Sequence, residues 1–235
     1  MTSKIAVIQA GRPPKDLRDR AGEQADWFRS ALHGLDAEII VVRPFQGDNL
    51  PEAGSFSHAV ITGSWSMVTD REEWSERTAA WIRQIISMNT PILGVCYGHQ
   101  LMAHALGGTV GYHPMGRELG LHRVRLTSTT GRDPMLASMP GEFDAFLTHE
   151  QTVLVPPDEA IVLGRSDHDP HQILRYGPRA VSVQFHPEFT PEIMSFCIQR
   201  RRDKLVSEGF DVEAALSNLR PTVAARRLLA AFCSS

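Results

Sequence analysis

The chain has 235 residues, enough for one large domain or two small ones. Hydrophobic residues make up 42% of it and charged residues 22%, which is ordinary globular usage and excludes a disordered chain. A net charge of -3 gives no electrostatic reason to bind nucleic acid or an anionic membrane. No apolar run approaches the roughly 18 residues that a spanning helix needs, so we expect no membrane segment.

The cysteines and the N-terminus indicate the compartment. Cys96, Cys197 and Cys233 cannot all pair and form no Cys-x-x-Cys motif. The apolar run at residues 5–8 is too short for a secretory signal and is typical of a first strand. These features predict a reduced, cytoplasmic protein.

The first half of the chain predicts alternating strands and helices. Short apolar runs predict strands at residues 5–9, 38–42, 58–62 and 91–95. Apolar residues at helical spacing predict helices at 25–32, 74–88 and 100–106. Nearly continuous apolar strands separated by helices are typical of a parallel sheet that is covered on both faces.

The second half predicts more strands and then a helical tail. Strands are expected at residues 120–126, 143–148, 160–164, 172–176 and 180–185. Thr190 and Pro191 are typical of a helix start, and the remainder is expected to be helical. The prediction is therefore an α/β fold: an open, mostly parallel sheet with helices on both faces and extra antiparallel strands. Residues 1–190 form its domain, and residues 191–235 form a helical extension packed on it.

Cys96 lies at a predicted strand-to-helix turn. Gly94 and Gly98 flank it two positions away on each side, where a sharp turn would leave no room for a Cβ. This is the Gly-x-nucleophile-x-Gly pattern, with a helix expected to begin about two residues after the cysteine. Although a lone cysteine is more often a buried structural thiol, this context favours a nucleophile. The helix N-terminus favours a thiolate, and its first amides can hold an oxyanion.

His186 is the best candidate for the base that such a nucleophile needs. It follows the alternating residues 181–185, and Pro187 favours an extended conformation for it. In an extended chain Glu188 would lie on the same face as His186, where its carboxylate could accept a ring N–H and orient the imidazole.

Two other features favour ordinary surface roles. His168 and His171 lie in a polar turn without a matching third ligand, so we predict no metal site and no cofactor. The basic run Arg200-Arg-Arg-Asp-Lys204 would spread over several faces of a helix, which indicates solvated surface and not a nucleic-acid interface.

The motifs Gly94-Val-Cys-Tyr-Gly-His-Gln100 and Gln184-Phe-His-Pro-Glu188 together resemble those of the class I (triad) glutamine amidotransferases. The chain is most similar to the glutaminase domain of GMP synthase and its stand-alone relatives. The resemblance covers roughly residues 5–190 and implies the flavodoxin-like fold of that family. Three shorter segments add to it: Ile61-Thr-Gly-Ser64, Gly116-Arg-Glu-Leu-Gly120 and Gln172-Ile-Leu-Arg-Tyr176.

The resemblance implies a role for each matching residue. Cys96 would be the nucleophile, His186 the acid and base, and Glu188 its orienting partner. The amides of Gly63 and Tyr97 would form the oxyanion hole. The remaining expected substrate contacts are Ser64, Gln100, His149, Glu150 and Gln151.

The chain departs from the family pattern in two places. Its relatives commonly have His-x-Asp-x-Val where this chain has His149-Glu-Gln-Thr-Val153. Gln151 carries no charge, so Glu150 would have to pair with the α-amino group of free glutamine. The sequence also ends at Ser235 without an ATP-pyrophosphatase domain, so an ammonia consumer would be another chain or would be absent.

Three functions remain open at this point. The first is hydrolysis of the glutamine side-chain amide to glutamate and ammonia through a γ-glutamyl thioester. The second is hydrolysis of γ-glutamyl peptides or conjugates with the same triad. The third is an ammonia-supplying subunit that is active only with a synthase partner in trans. A homodimer also remains open.

Overall fold

A computed structural model of the protein describes residues 3–128 and 133–234. Met1 and Thr2 of the predicted domain 1–190, and Ser235 of the predicted extension 191–235, lie outside the described residues. The strands are β1 (Ser3–Ile8), β2 (Ala37–Val42), β3 (His58–Ile61), β4 (Ile92–Val95), β5 (Thr109–Tyr112), β6 (Glu118–Leu126), β7 (Glu142–His149), β8 (Gln151–Val155), β9 (Ile161–Arg165), β10 (Ile173–Gly177) and β11 (Ala180–Val183). The helices are α1 (Lys15–Ala21), α2 (Gln24–Ala31), α3 (Glu73–Ser87), α4 (Tyr97–Ala105), α5 (Pro191–Gln199), α6 (Arg202–Ser207), α7 (Val212–Ser217) and α8 (Val223–Cys233).

Nine strands form one mixed sheet in the order β2-β1-β3-β4-β11-β10-β9-β6-β7. The five strands from β2 to β11 are parallel, and the strands beyond β11 are antiparallel. Strands β5 and β8 pair separately as an antiparallel ribbon. This architecture confirms the predicted α/β class, with its parallel sheet and additional antiparallel strands.

Helices cover both faces of the parallel strands. On one face, Phe28 of α2 and Leu228 of α8 pack with Leu93 of β4 in the same buried cluster. On the other face, Ile82 of α3 and Leu101 of α4 belong to a second buried cluster. The apolar residues of β1, β3, β4 and β11 are buried on both sides, which explains why these strands are nearly continuous apolar runs.

The boundaries differ from the predicted ones at several points. Helix α4 begins directly after Cys96, and β11 ends at Val183, two residues before its predicted end. The sequence did not predict α1, β5 and β8, because α1 buries only Leu17 and the ribbon strands carry no regular apolar pattern. Over its described residues, 191–234, the tail comprises four separate helices. Thr190 caps the first of them by accepting a hydrogen bond from the Ile193 N–H at 3.2 Å.

Among residues 3–128 and 133–234, no helix combines the length and the apolar character needed to cross a lipid bilayer. The predicted cytoplasmic location stays a prediction.

The packing of α8 predicts how the tail contributes to stability. Leu228 is fully buried against the sheet, so Leu228→Ala should lower the free energy of unfolding by about 2–5 kcal/mol in urea titrations. Val223 in the same helix is 55% exposed, and Val223→Ala should change the free energy of unfolding by no more than about 0.5 kcal/mol. Equal effects of the two substitutions would contradict a shared core.

Candidate active site

Cys96 forms the one-residue junction between β4 and α4. Its φ of 51° is in the left-handed region, which is uncommon for a residue other than glycine. A Cβ on Gly94 would clash with the Gly98 carbonyl group, and a Cβ on Gly98 would lie 2.5 Å from the Ile61 carbonyl oxygen. The two glycines therefore permit the sharp turn that the sequence predicted, and Cys96 lies at the N-cap of α4.

The loop after β3 brings Gly63 against the junction. A Cβ at Gly63 would lie 2.9 Å from Cε1 of His186 and 3.6 Å from the Cβ of Cys96. The loop is fixed because the Gly63 carbonyl oxygen accepts a hydrogen bond from Gln24 Nε2 at 3.1 Å. Among the described residues, neither the Gly63 N–H nor the Tyr97 N–H donates a hydrogen bond, so both remain available as donors.

His186 and Glu188 form a buried hydrogen-bonded pair next to Cys96. Nδ1 of His186 lies 2.8 Å from Oε1 of Glu188, and the imidazole stacks on Phe189 with ring centroids 4.0 Å apart. Nε2 of His186 has no hydrogen-bond partner within the described chain. Residues 187–188 form a turn, so the predicted proximity of Glu188 comes from a turn and not from an extended strand.

The charges around His186 change its acidity. Burial by itself would lower its pKa, but the Glu188 carboxylate and the Cys96 sulfur outweigh burial and raise the pKa from 6.5 to about 10. The imidazolium form is therefore stabilised, and it leaves an Nε2–H directed away from the carboxylate. This state suits a histidine that shares a proton with a neighbouring thiol.

The other cysteines and histidines have different environments. Burial raises the pKa of both Cys197 and Cys233 to about 12, which keeps them as thiols. Burial lowers the pKa of His99 to about 3, and its Nδ1 hydrogen-bonds to Oγ of Ser182 at 2.7 Å. His99 is thus a neutral core histidine.

A narrow pocket with a volume of about 40 Å³ opens in front of Cys96. We call it the Cys96 pocket, and it lies between the loop after β3 and the turn that joins β7 to β8. Six further residues predicted from the sequence line it: Ser64, Tyr97, Gln100, His149, Glu150 and Gln151. His186 and Glu188 are buried beside Cys96 and do not belong to the lining of this pocket.

Gln100 and Gln151 make different contacts in this pocket. Nε2 of Gln100 donates to the Gln151 carbonyl oxygen at 2.6 Å and to Oε1 of Gln184 at 3.1 Å, so it links α4 to the wall of the pocket. Nε2 of Gln151 donates to Oγ1 of Thr69 at 2.6 Å. Oε1 of Gln151 is buried and has no donor in the described residues, so this residue of the pocket wall carries a neutral acceptor without a partner.

Glu150 is already paired with cations. Nη2 of Arg117 donates to Oε1 of Glu150 at 2.5 Å, and Nζ of Lys204 lies 3.6 Å from the same oxygen. Nε of Arg117 also binds Oε2 of Glu208 at 3.2 Å. The carboxylate is therefore largely neutralised, which makes it a weak substitute for the aspartate of the family pattern.

A buried polar network supports the wall of the pocket. Nε2 of His149 lies 3.0 Å from Oε2 of Glu118, and Nδ1 of His149 lies 2.9 Å from the Gln151 carbonyl oxygen. Burial would raise the pKa of Glu118, but hydrogen bonds from His149 and Ser166 outweigh it and lower the pKa. His149 therefore positions the backbone of Gln151.

The same network contains three groups that could bind a metal ion. Ligand atoms of Glu118, His149 and Asp169 all lie within 4.8 Å of one another. Each of the three already has a partner within the protein. Glu118 and His149 are hydrogen-bonded to each other, and Asp169 accepts a hydrogen bond from the Thr152 hydroxyl. His168 and His171 lie outside this group, and the prediction that there is no metal site stays a prediction.

Two arginines of the pocket were not identified from the sequence. Arg117 lies within the segment 116–120 that carries part of the family resemblance, so a signal for it was present. Arg201 lies in the basic run that predicted solvated surface, and this expectation is wrong for Arg201. Helix α5 ends at Gln199, and the turn that follows places Arg201 in the lining of the Cys96 pocket.

A wider cavity adjoins the Cys96 pocket. It has a volume of about 520 Å³, shares Arg117 and Glu150 with the pocket and is lined also by Tyr112 and Phe210. A molecule that occupies the Cys96 pocket could therefore extend past the Arg117–Glu150 ion pair into this outer cavity.

The family of the chain follows from comparison with known proteins. The family model described as Glutamine amidotransferase class-I matches residues 25–199. The protein belongs to the class-I glutamine amidotransferase family.

Individual relatives cover the chain to different extents. The glutamine-hydrolyzing GMP synthase of Aeropyrum pernix is 34% identical over 157 residues, which are 66% of this chain and 28% of that protein. Gamma-glutamyl peptidase 5 of Arabidopsis thaliana is 26% identical over 205 residues, 85% of this chain and 77% of that protein. A crystal structure of a glutamine amidotransferase from Thermotoga maritima superposes with a TM-score of 0.78 at 22% identity and covers all of both chains, which shows a shared fold.

The His186–Glu188 pair predicts a specific titration. In the native protein we expect the imidazolium of His186 to persist well above pH 6.5, and its stabilisation of the fold to be lost as the pH rises through about 10. Glu188→Gln keeps the side-chain size but removes the negative charge, so the midpoint should move to lower pH. The Cε1–H chemical shift of His186 measures this by NMR, with His186→Gln assigning the signal. A midpoint unchanged by Glu188→Gln would contradict the pairing.

Proposed function

We propose that the protein is a cysteine hydrolase that cleaves the side-chain amide of glutamine to glutamate and ammonia, with Cys96, His186 and Glu188 as its triad. The observation that carries the proposal is the hydrogen-bonded His186–Glu188 pair, with its free Nε2, next to a cysteine at a strand-to-helix turn. Membership of the class-I glutamine amidotransferase family supports the same chemistry.

The first half-reaction forms a thioester. The Cys96 thiolate attacks the side-chain carbonyl carbon of the substrate, and a C–S bond forms while the carbonyl electrons move to oxygen. The N–H groups of Gly63 and Tyr97 are the donors that we assign to this oxyanion. As the C–N bond breaks, Nε2–H of His186 protonates the departing nitrogen, and ammonia leaves.

The second half-reaction hydrolyses the γ-glutamyl thioester. His186 is now neutral, and its Nε2 removes a proton from water while the water oxygen attacks the thioester carbonyl. The C–S bond breaks, glutamate is released and the thiolate–imidazolium pair is restored. Glu188 holds the imidazole through Nδ1 during both steps.

Replacement of the nucleophile gives the direct test of this proposal. We expect Cys96→Ser to leave the thermal unfolding transition in place and to lower kcat/KM by at least about a thousandfold, because the serine hydroxyl is not ionised by His186. Ammonia release is measured with purified protein, and retained activity would show that another residue is the nucleophile.

Active-site labelling supplies the control for that test. An electrophilic glutamine analogue should modify Cys96 and leave Cys197 and Cys233 unmodified, since burial keeps these two as thiols. Peptide mass mapping reads out the position, and modification of Cys197 or Cys233 alone would contradict the proposed site.

Hydrolysis of γ-glutamyl peptides or conjugates is the second candidate function. The uncharged Gln151, the neutralised Glu150 and the 520 Å³ outer cavity favour it, as does similarity to a gamma-glutamyl peptidase. The chemistry is unchanged except that an amine leaves in place of ammonia.

Substrate comparison distinguishes these two functions. If the outer cavity binds the rest of the substrate, a γ-glutamyl dipeptide should have a higher kcat/KM than glutamine. Ammonia release and amine release are measured on one preparation. A clear preference for glutamine would favour the first function, and activity that requires an added synthase would favour an ammonia-supplying subunit.

A further inference from the structure

Arg201 contributes a positive charge without a counter-ion to the Cys96 pocket. Its Nη1 lies 3.5 Å from Oγ1 of Thr148, a long contact with a neutral hydroxyl. No carboxylate in the described ranges 3–128 and 133–234 lies within 4.0 Å of its guanidinium. Burial, together with the nearby charge of Arg117, lowers the pKa of Arg201, so this site disfavours a cation unless an anion joins it.

The neighbouring arginines show how unusual this environment is. Arg200 binds Asp16 at 3.1 Å, and Arg202 binds Glu213 at 2.6 Å, both on the protein surface. Within the pocket, Arg117 is held between Glu150 and Glu208. Arg201 therefore differs both from its neighbours in the chain and from the other cation of the same pocket.

A carboxylate matches the unpaired guanidinium of Arg201 better than other anions do. The guanidinium presents parallel N–H donors that match the two oxygens of a carboxylate, and the narrow pocket favours a small monoanion. Gln151 lines the same pocket, and its buried Oε1, which has no partner among the described residues, can accept an N–H hydrogen bond. An amino acid presents a carboxylate and an N–H donor on the same carbon, its α-carbon.

We propose that Arg201 binds the free α-carboxylate of the glutamyl group and thereby selects substrates in which this carboxylate is unsubstituted. The inference rests on the proposed function, because it names the part of that substrate which Arg201 recognises. It implies that glutamine and γ-glutamyl compounds with a free α-carboxylate are accepted, and that glutamine whose α-carboxyl is in an amide or peptide bond is rejected.

The three consecutive arginines provide matched variants. Loss of one charge-assisted contact predicts that Arg201→Gln lowers kcat/KM by about 10- to 150-fold, mainly through KM. Arg200→Gln and Arg202→Gln should leave kcat/KM unchanged. Arg201→Lys keeps the charge but not the paired donors and should fall between the wild type and Arg201→Gln. An effect of Arg201→Gln no larger than that of the two control variants would overturn the proposal.

A substrate without the α-carboxylate separates recognition from structural support. The α-amide of whichever substrate is turned over, glutamine or a γ-glutamyl dipeptide, replaces the carboxylate by a neutral group. The wild type should prefer the free carboxylate, and Arg201→Gln should have lost that preference. If Arg201→Gln impairs both substrates equally, the residue supports structure only and the proposal is wrong.

A binding measurement keeps the proposal independent of turnover. In the Cys96→Ser protein, calorimetric titration with glutamine and with its α-amide should show tighter binding of glutamine. The double variant that carries both Cys96→Ser and Arg201→Gln should bind the two compounds equally. Preference retained without Arg201 would overturn the inference. Absence of turnover in the wild type, with carboxylate-selective binding intact, would instead overturn the proposed function alone.

Discussion

A Cβ on Gly94 would collide with the carbonyl group of Gly98, and a Cβ on Gly98 would collide with the carbonyl oxygen of Ile61. Because both positions are glycine, the chain can change from strand β4 to helix α4 at the single residue Cys96. That residue then adopts a left-handed φ of 51°, a conformation that costs on the order of 1–3 kcal/mol and persists only where the surrounding packing enforces it. The location of the sulfur at the sheet edge and at the start of α4 follows from this one steric constraint.

The order of the parallel strands assembles the remaining groups around the sulfur. Strand β4 lies between β3 and β11, and all three run in the same direction. Their carboxyl ends therefore meet at one edge, where Gly63 follows β3, Cys96 follows β4 and His186 follows β11. The absence of a side chain at Gly63 is needed for the imidazole to approach, since a Cβ there would lie 2.9 Å from Cε1 of His186. Residues separated by 123 positions in sequence, from Gly63 to His186, thus become direct neighbours.

The predictable parts of this structure are those that local patterns determine. Buried parallel strands are continuous apolar runs, and the paired glycines around Cys96 indicate the turn without any tertiary information. The proximity of His186 and Glu188 was predicted for the wrong reason, because the chain turns at 187–188 where extension was expected. The orientation of Arg201 could not be predicted, because no glycine or proline marks the end of α5 at Gln199. Tertiary packing alone decides which arginine of that run faces the pocket.

Burial and partner together, and not residue type, distinguish His186, the base that we propose, from the core histidine His99. His99 and His186 are both almost inaccessible, and each follows or adjoins a central strand of the same sheet. Burial dominates at His99, where the partner is the neutral hydroxyl of Ser182, and its pKa falls to about 3. At His186 the Glu188 carboxylate and the Cys96 sulfur reverse the effect of the same burial, and its pKa rises to about 10. Both histidines are buried, but only His186 has a carboxylate and a sulfur close enough to outweigh burial, so its site favours a proton next to the sulfur and the His99 site excludes one.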